Sequence, residues 1–287
     1  MKLQKYISKV LDILIAIVLL LFFASFGFRD GRTSGWYQQF FPNMNGSTIM
    51  SMTFLDSLTG FAATNTNSLI QGYILKTTNG GDNWNIIFTY DSLPYNNITF
   101  TSLKFADKNI GYVGTNYYDL FKTTDGGNNW QKLYISFGCS DMAAINKDTV
   151  LIVQSDIIDG GVYRSTNGGL NWQALGPTGG SGQPGSIYMF NKDIGFNLGS
   201  SGMKKTTNGG LNWFMIPNET YSGIKFIDTL TGWKCWDSIK KTTNGGLNWF
   251  AQRTPSISLN FAPYSSFSIN NRDTIWMVGA RNFSHIP

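Results

Sequence analysis

One nine-residue phrase recurs five times along this chain, and any fold must place all five copies. It occupies Lys76 to Trp84 (KTTNGGDNW), Lys122 to Trp130 (KTTDGGNNW), Arg164 to Trp172 (RSTNGGLNW), Lys205 to Trp213 and Lys241 to Trp249 (both KTTNGGLNW). The tryptophans stand 36 to 46 residues apart, the length of one four-stranded blade of a β-propeller. A parallel β-solenoid is the alternative, but its rungs are shorter.

The chemistry of the phrase explains its repetition. Two β-branched residues favour extended chain, and Asn79, Asp125, Asn167, Asn208 and Asn244 offer a side chain that bonds its own backbone. Gly81, Gly127, Gly169, Gly210 and Gly246 tolerate positive φ, so each copy reads as a hairpin turn. Trp84, Trp130, Trp172, Trp213 and Trp249 then supply an apolar plate for a thin blade to bury against its neighbour. These fifteen positions are structural turn residues in this reading.

Upstream of the phrases lies a second pattern. Short apolar runs lead to Asp56, Asp107, Asp193 and Asp228, and the chain resumes at Gly60-Phe, Gly111-Tyr, Gly195-Phe and Gly232-Trp. Each is a hairpin, so one period holds four strands. Blade 2 predicts strands near Ser102 to Ala106, Gly111 to Thr115, Asp119 to Thr124 and Asn129 to Ile135. Blade 3 is the loosest match, with Thr149 to Ser155 replacing the Gly-aromatic start.

The fold class is therefore all-β, a propeller of about six blades, five of them complete. Phe267 to Asn270 and Thr274 to Gly279 read as the first two strands of a sixth, which an N-terminal strand near Trp36 would complete, removing the sheet edge. If the chain is a fragment, the ring has seven blades. The domain reading is a leader over 1–28 and one propeller over 29–287.

Lys2, Lys5 and Lys9 precede an apolar stretch whose uninterrupted core, Ile13 to Phe28, is 16 residues long. That is short for a membrane span and suits a signal peptide or an uncleaved anchor; both export the propeller to a periplasm, cell surface or medium. The leader contributes +2 of the formal net charge of +5, and five basic residues open the repeated phrases. The latter read as a solvated strand face, with a basic face for an acidic partner as the alternative. Nothing clusters as nucleic-acid binding requires. Cys139 and Cys235 fall in different blades and make no disulfide framework. Asn45, Asn97, Asn218 and Asn282 open glycosylation sequons, which chance produces in a chain rich in Asn, Ser and Thr.

The phrase resembles the Asp-box, or BNR repeat, of sialidases, sortilin-type receptors and other exported propellers. With the upstream hairpin it looks most like exported propellers related to photosystem II stability and assembly factors. The resemblance covers roughly residues 36 to 287 and implies architecture more than activity. Four of the five boxes depart from it by carrying Asn for Asp, Asp125 alone conforming; this removes charge that cations would need. No metal or cofactor is expected.

A sialidase-like mechanism, as that family implies it, needs three arginines about a carboxylate, a Tyr-Glu pair and an Asp. Outside the leader region and the boxes this chain offers Arg253, Arg272 and Arg281, its one Glu is Glu219, and it lacks the Arg-Ile-Pro motif. The matching Asp residues read as turn caps rather than a glycosidase pair. His285, the single histidine, permits no histidine cluster for zinc. The stretch from Gly179 to Gly185 reads as a connector.

The expectation is thus a monomeric, exported, non-catalytic scaffold binding a protein partner or a surface polysaccharide. A glycoside hydrolase acting on extracellular glycans is the alternative, and any membrane contact runs through the leader alone. The loops Tyr90 to Asn97 and Asn116 to Tyr118, with Tyr95, Tyr117 and Tyr118, are the candidate contact surface.

Overall fold

Each copy of the phrase links the third and fourth strands of its own antiparallel sheet. The computed structural model describes residues 39–66, 71–91, 98–154, 161–177, 185–199, 202–235, 238–252, 261–271 and 274–281. Residues Phe40–Pro287 form one compact unit; of the other, Met1–Gln39, only Gln39 is described.

Blade 1 comprises β1 (Ile49–Phe54), β2 (Gly60–Thr64), β3 (Gln71–Thr77) and β4 (Asn85–Asp91). Blade 2 follows with β5 (Phe100–Phe105), β6 (Gly111–Thr115), β7 (Asp119–Thr123) and β8 (Gln131–Tyr134). Blade 3 has β9 (Asp141–Ala144), β10 (Val150–Val153), β11 (Gly161–Ser165) and β12 (Gln173–Pro177). Blade 4 has β13 (Ser186–Met189), β14 (Gly195–Gly199), β15 (Gly202–Thr206) and β16 (Phe214–Met215). Blade 5 has β17 (Gly223–Phe226), β18 (Gly232–Cys235), β19 (Ile239–Thr242) and β20 (Phe250–Ala251). A hairpin of β21 (Phe261–Asn271) and β22 (Thr274–Arg281) begins the sixth.

Strands pair in chain order within every sheet, and all pairings are antiparallel, which excludes the solenoid. The first strands lie side by side, β1 with β5, β5 with β9, β9 with β13 and β17 with β21, so they gather about the axis. The protein is a β-propeller of about six blades. The expected closing strand at Trp36 lies outside the described residues, as do the leader and the stretch 178–184.

The boxes repeat one hydrogen-bond pattern. The hydroxyls of Thr77, Thr123, Ser165, Thr206 and Thr242 accept from the sixth-position glycine amide at 2.8–2.9 Å. The side chains of Asn79, Asp125, Asn167, Asn208 and Asn244 accept from the eighth-position amide at 2.8–3.0 Å. Both glycines of every box lie at φ between 69° and 95°, where a β-carbon crowds the backbone. An amide cap closes the turn as a carboxylate does.

Between blades the boxes become latches. Lys76 Nζ donates to Gly126 O of blade 2 at 2.8 Å, Lys122 to Gly168 O of blade 3 at 3.0 Å, and Lys205 to Gly245 O of blade 5 at 2.6 Å. Arg164 lies against Gly209 of blade 4. The basic residues opening the boxes are therefore half-buried rather than a solvated strand face, Lys76, Lys122 and Lys205 serving as ties, and burial lowers the pKa of Lys122 and Lys205. Each lysine also crosses the aromatic ring opposite it on the second strand: Lys76 over Phe61 at 5.3 Å, Lys122 over Tyr112 at 5.5 Å, Lys205 over Phe196 at 6.0 Å and Lys241 over Trp233 at 4.9 Å.

The core is layered between blades. Phe61, Ile74, Phe100 and Leu103 fill the space between blades 1 and 2 with Trp130 against them. Trp172, Trp213 and Trp249 close the next three layers in the same way. Blade 1 has Phe41 in the corresponding place, its ring 5.2 Å from Trp84. Gly60, Gly111 and Gly232 leave room for Phe54, Phe105 and Phe226, which a β-carbon there would meet at 2.6–2.7 Å. Cys139 and Cys235 are free and buried as small apolar residues.

Gly168 sits at φ +72°, and a β-carbon on it would stand 2.2 Å from Lys122 Nζ. Gly168→Val should destabilise the protein by about 3 kcal/mol through strain and the lost tie. Lys122→Met, which removes the tie alone, should cost about 1 kcal/mol. Urea midpoints measure both, and equal stability of the valine variant and the wild type would contradict the turn geometry.

Candidate functional site

Because strands alternate in direction, the propeller has one face of turns and one of loops. The hairpin turns between first and second strands share the turn face with the boxes. Gly80, Gly126, Gly168, Gly209 and Gly245 donate their amides to Leu58, Asn109, Asp148, Asp193 and Leu230 at 2.7–2.9 Å. The loops between second and third strands, and the connectors between blades, open on the opposite face.

On the turn face the side chains are committed to turns. Asp56 accepts from the Leu58 and Thr59 amides, Asp107 from Asn109 and Ile110, and Asp228 from Leu230 and Thr231, at 2.6–2.8 Å. These bonds hold Asp56 below its ordinary pKa. In blade 4 the expected cap, Asp193, is displaced: Asn191 takes the position, accepting from Asp193 and Ile194 at 2.7–2.9 Å. The reason is spacing, since Asn191, like Asp56 and Asp107, stands four residues before the hairpin glycine. Asp193 instead pairs with Lys192 in solvent at 2.6 Å.

Asn116 to Tyr118 lies on the other face, and so does the end of β4 with Tyr90 and Asp91; residues 92–97 of the second candidate loop lie outside the described residues. Tyr117 and Tyr118 follow β6, are 38% and 46% exposed, and have ring centroids 4.0 Å apart. Their support comes from residues that sequence reasoning missed. Asp119, buried at the start of β7, accepts from the Tyr90 hydroxyl and pairs with Lys132 Nζ at 2.9 Å. Burial, then the bond to Asp119, raises the Tyr90 pKa. Lys132 Nζ lies 4.9 Å from the ring centroid of Tyr134, which is 80% exposed and directly across the sheet from Asp119. The Ile135 amide ties the Tyr118 carbonyl at 3.0 Å. The result is a rigid patch of three exposed tyrosines with one ammonium between two rings. Asp119 at a strand start beside two tyrosines was the one available clue; Tyr134 gave none. Tyr95 lies outside the described residues.

Such a patch stacks on and hydrogen-bonds to a ligand, and its one carboxylate is already engaged. Glu219 is engaged as well, at 2.5 Å from Lys234 and 3.0 Å from Lys240, neutralising two lysines that face each other across β18 and β19. Arg253 and Arg272 lie outside the described residues, and of Arg281 only its place in β22 is described. No three His, Cys, Asp or Glu side chains among the described residues cluster so as to hold a metal.

These features define an Asp-box propeller with an aromatic loop face. A family model described as photosynthesis system II assembly factor YCF48 matches residues 31–187, more than half of the chain, and the chain belongs to that family. No curated protein sequence matches it. Among solved structures, YCF48 bound to D1 peptide is 15% identical, with 85% of this chain and 93% of that one covered and a TM-score of 0.47. YCF48 from Cyanidioschyzon merolae is 18% identical, with 85% and 96% covered and a TM-score of 0.48. A GH74 enzyme of Niastella koreensis is 16% identical with a TM-score of 0.56; 71% of this chain covers 38% of that enzyme, a likeness of fold alone.

Asp125 is the one carboxylate among the five capping side chains of the boxes. Bonds from the Asn129 side chain and amide lower its pKa from 3.8 to about 2. A depressed carboxylate adds stability above its unfolded pKa and loses it as pH falls through the folded one. The stability difference between wild type and Asp125→Asn should therefore hold constant above about pH 5 and shrink toward pH 2. Urea midpoints across that range test it; a constant difference would refute the assignment.

Proposed function

We propose that this protein is an exported, non-catalytic scaffold that holds a protein partner on the face carrying Tyr117, Tyr118 and Tyr134. The observation that carries this reading is the patch itself: three exposed rings on a loop and strand tied together by Asp119, Lys132 and the Ile135 amide present contact area at little ordering cost. Membership of a family described as assembly factors supports a protein as the partner. The leader's basic start and apolar core support export.

The non-catalytic reading draws on the employment of the acids. Asp56, Asp107 and Asp228 cap turns, Asp125 closes a box, Asp119 braces the tyrosines and Glu219 neutralises two lysines. A surface polysaccharide is the second reading, since exposed tyrosine rings stack on sugars as well as on peptides.

Purified protein and its Tyr117→Ala/Tyr118→Ala variant should be compared for retention of proteins from the host's envelope fraction, and on a glycan array read by mass spectrometry. The wild type should retain a defined protein partner, and the variant should retain less than about a tenth of it. Equal retention would remove the tyrosine face from the reading, binding confined to the array would select the polysaccharide, and released oligosaccharide would make the protein an enzyme.

A further inference from the structure

We propose that the centre of the propeller holds a small oxyanion, a carboxylate or phosphate group, between Lys104 of blade 2 and Lys225 of blade 5. Each lysine stands one residue before an inner-strand Phe that lies opposite a hairpin glycine, Phe105 opposite Gly111 and Phe226 opposite Gly232. They therefore occupy the same height on β5 and β17. Thr53, Ala143 and Tyr188 hold the same position in blades 1, 3 and 4, so among these five blades the lysines are the charged members of the row.

Side chains of this row lean toward the next blade around the ring. The Tyr188 hydroxyl accepts from the Phe226 amide at 3.0 Å, and Lys104 Nζ lies 3.6 Å from Asp141 Oδ1. Blades 2 and 5 are three steps apart, which in a ring of about six sets the two lysines on opposite sides of the axis. Water reaches the Lys225 side chain, yet protein surrounds it; that enclosure, and then the charge of Lys104, holds its ammonium below the ordinary lysine pKa.

Asp141 does not balance this charge. Its Oδ1 accepts from Ser102 Oγ and the Met142 amide, both at 2.9 Å, and its Oδ2 from the Ile187 amide at 3.0 Å. It stitches β5, β9 and β13 together and meets Lys104 only at the long distance. The Lys225 ammonium has no hydrogen bond or ion pair among the described residues. Two ammoniums of the inner-strand row thus have beside them one carboxylate, near Lys104 and already occupied, which leaves net positive potential at the axis. An oxyanion placed there would replace their mutual repulsion with charge-assisted hydrogen bonds. The inference does not depend on the tyrosine face.

Calorimetric titration of the full chain with inorganic phosphate, and separately with acetylated pentaglutamate, at constant ionic strength distinguishes a free anion from an acidic chain. Saturable binding is expected, weakened at least about tenfold by Lys104→Met and by Lys225→Met. Lys192→Met, an exposed lysine on the turn face, should leave it unchanged. In anion-free buffer Lys225→Met should hold or raise the Tm, because it removes a repulsion; if it lowers the Tm, Lys225→Arg must retain binding. Phosphate binding identifies a free ion, and binding of the peptide alone identifies an acidic segment in the channel. Absence of saturable binding to both, binding indifferent to Lys225→Met, or loss of binding in Lys225→Arg would overturn the proposal.

Discussion

The tie from one blade's basic residue to the next blade's box carbonyl is the contact on which the architecture rests. A four-stranded sheet this short cannot bury both faces by itself, so its stability depends on its neighbour. Lys76, Lys122 and Lys205 cross an aromatic ring of their own blade and donate to the first glycine carbonyl of the next box. In the joints of Lys76 and Lys205 the second glycine of that box leaves room for the same ring. A β-carbon on Gly127 would stand 2.6 Å from Phe61, and one on Gly246 2.6 Å from Phe196. Glycine, lysine, aromatic residue and tryptophan are four parts of one joint.

That joint divides the molecule into a conserved-geometry face and a variable one. Where boxes meet hairpin turns, polar side chains are spent on backbone amides, and the turn is the same in each of the five blades. The loop face carries no such requirement, and there the blades differ. Blade 2 places two tyrosines in its loop, buries an aspartate next to them in the chain, and receives Tyr90 from blade 1. The proposed scaffold role draws on this division: regular turns on one side present an aromatic patch on the other.

Acidic residues show the same economy. A glycoside hydrolase needs carboxylates left poised toward substrate. Here Asp141 joins three inner strands, Asp119 braces a loop and Glu219 neutralises a lysine pair. The likeness to GH74 enzymes lies in the arrangement of strands.

Most of the fold was legible in the chain. The five boxes, the hairpins, the strands of blade 2 and the first strands of the sixth blade all follow from interactions that span nine residues or fewer, where spacing and residue type suffice. Asp193 was misread for Asn191 because residue type was weighed above the distance to Gly195. The site was less legible. Tyr117 and Tyr118 stood out as loop aromatics, but the bond from Tyr90 to Asp119 joins residues 29 apart, and the latch lysines find their carbonyls 40 to 50 residues on. By itself the sequence determined the blade, its turns and their number, since these are settled by local backbone preference. Which basic residues tie and which carboxylates are occupied were decided only when the blades packed together, because those partners come from neighbouring blades and not from neighbours in the chain.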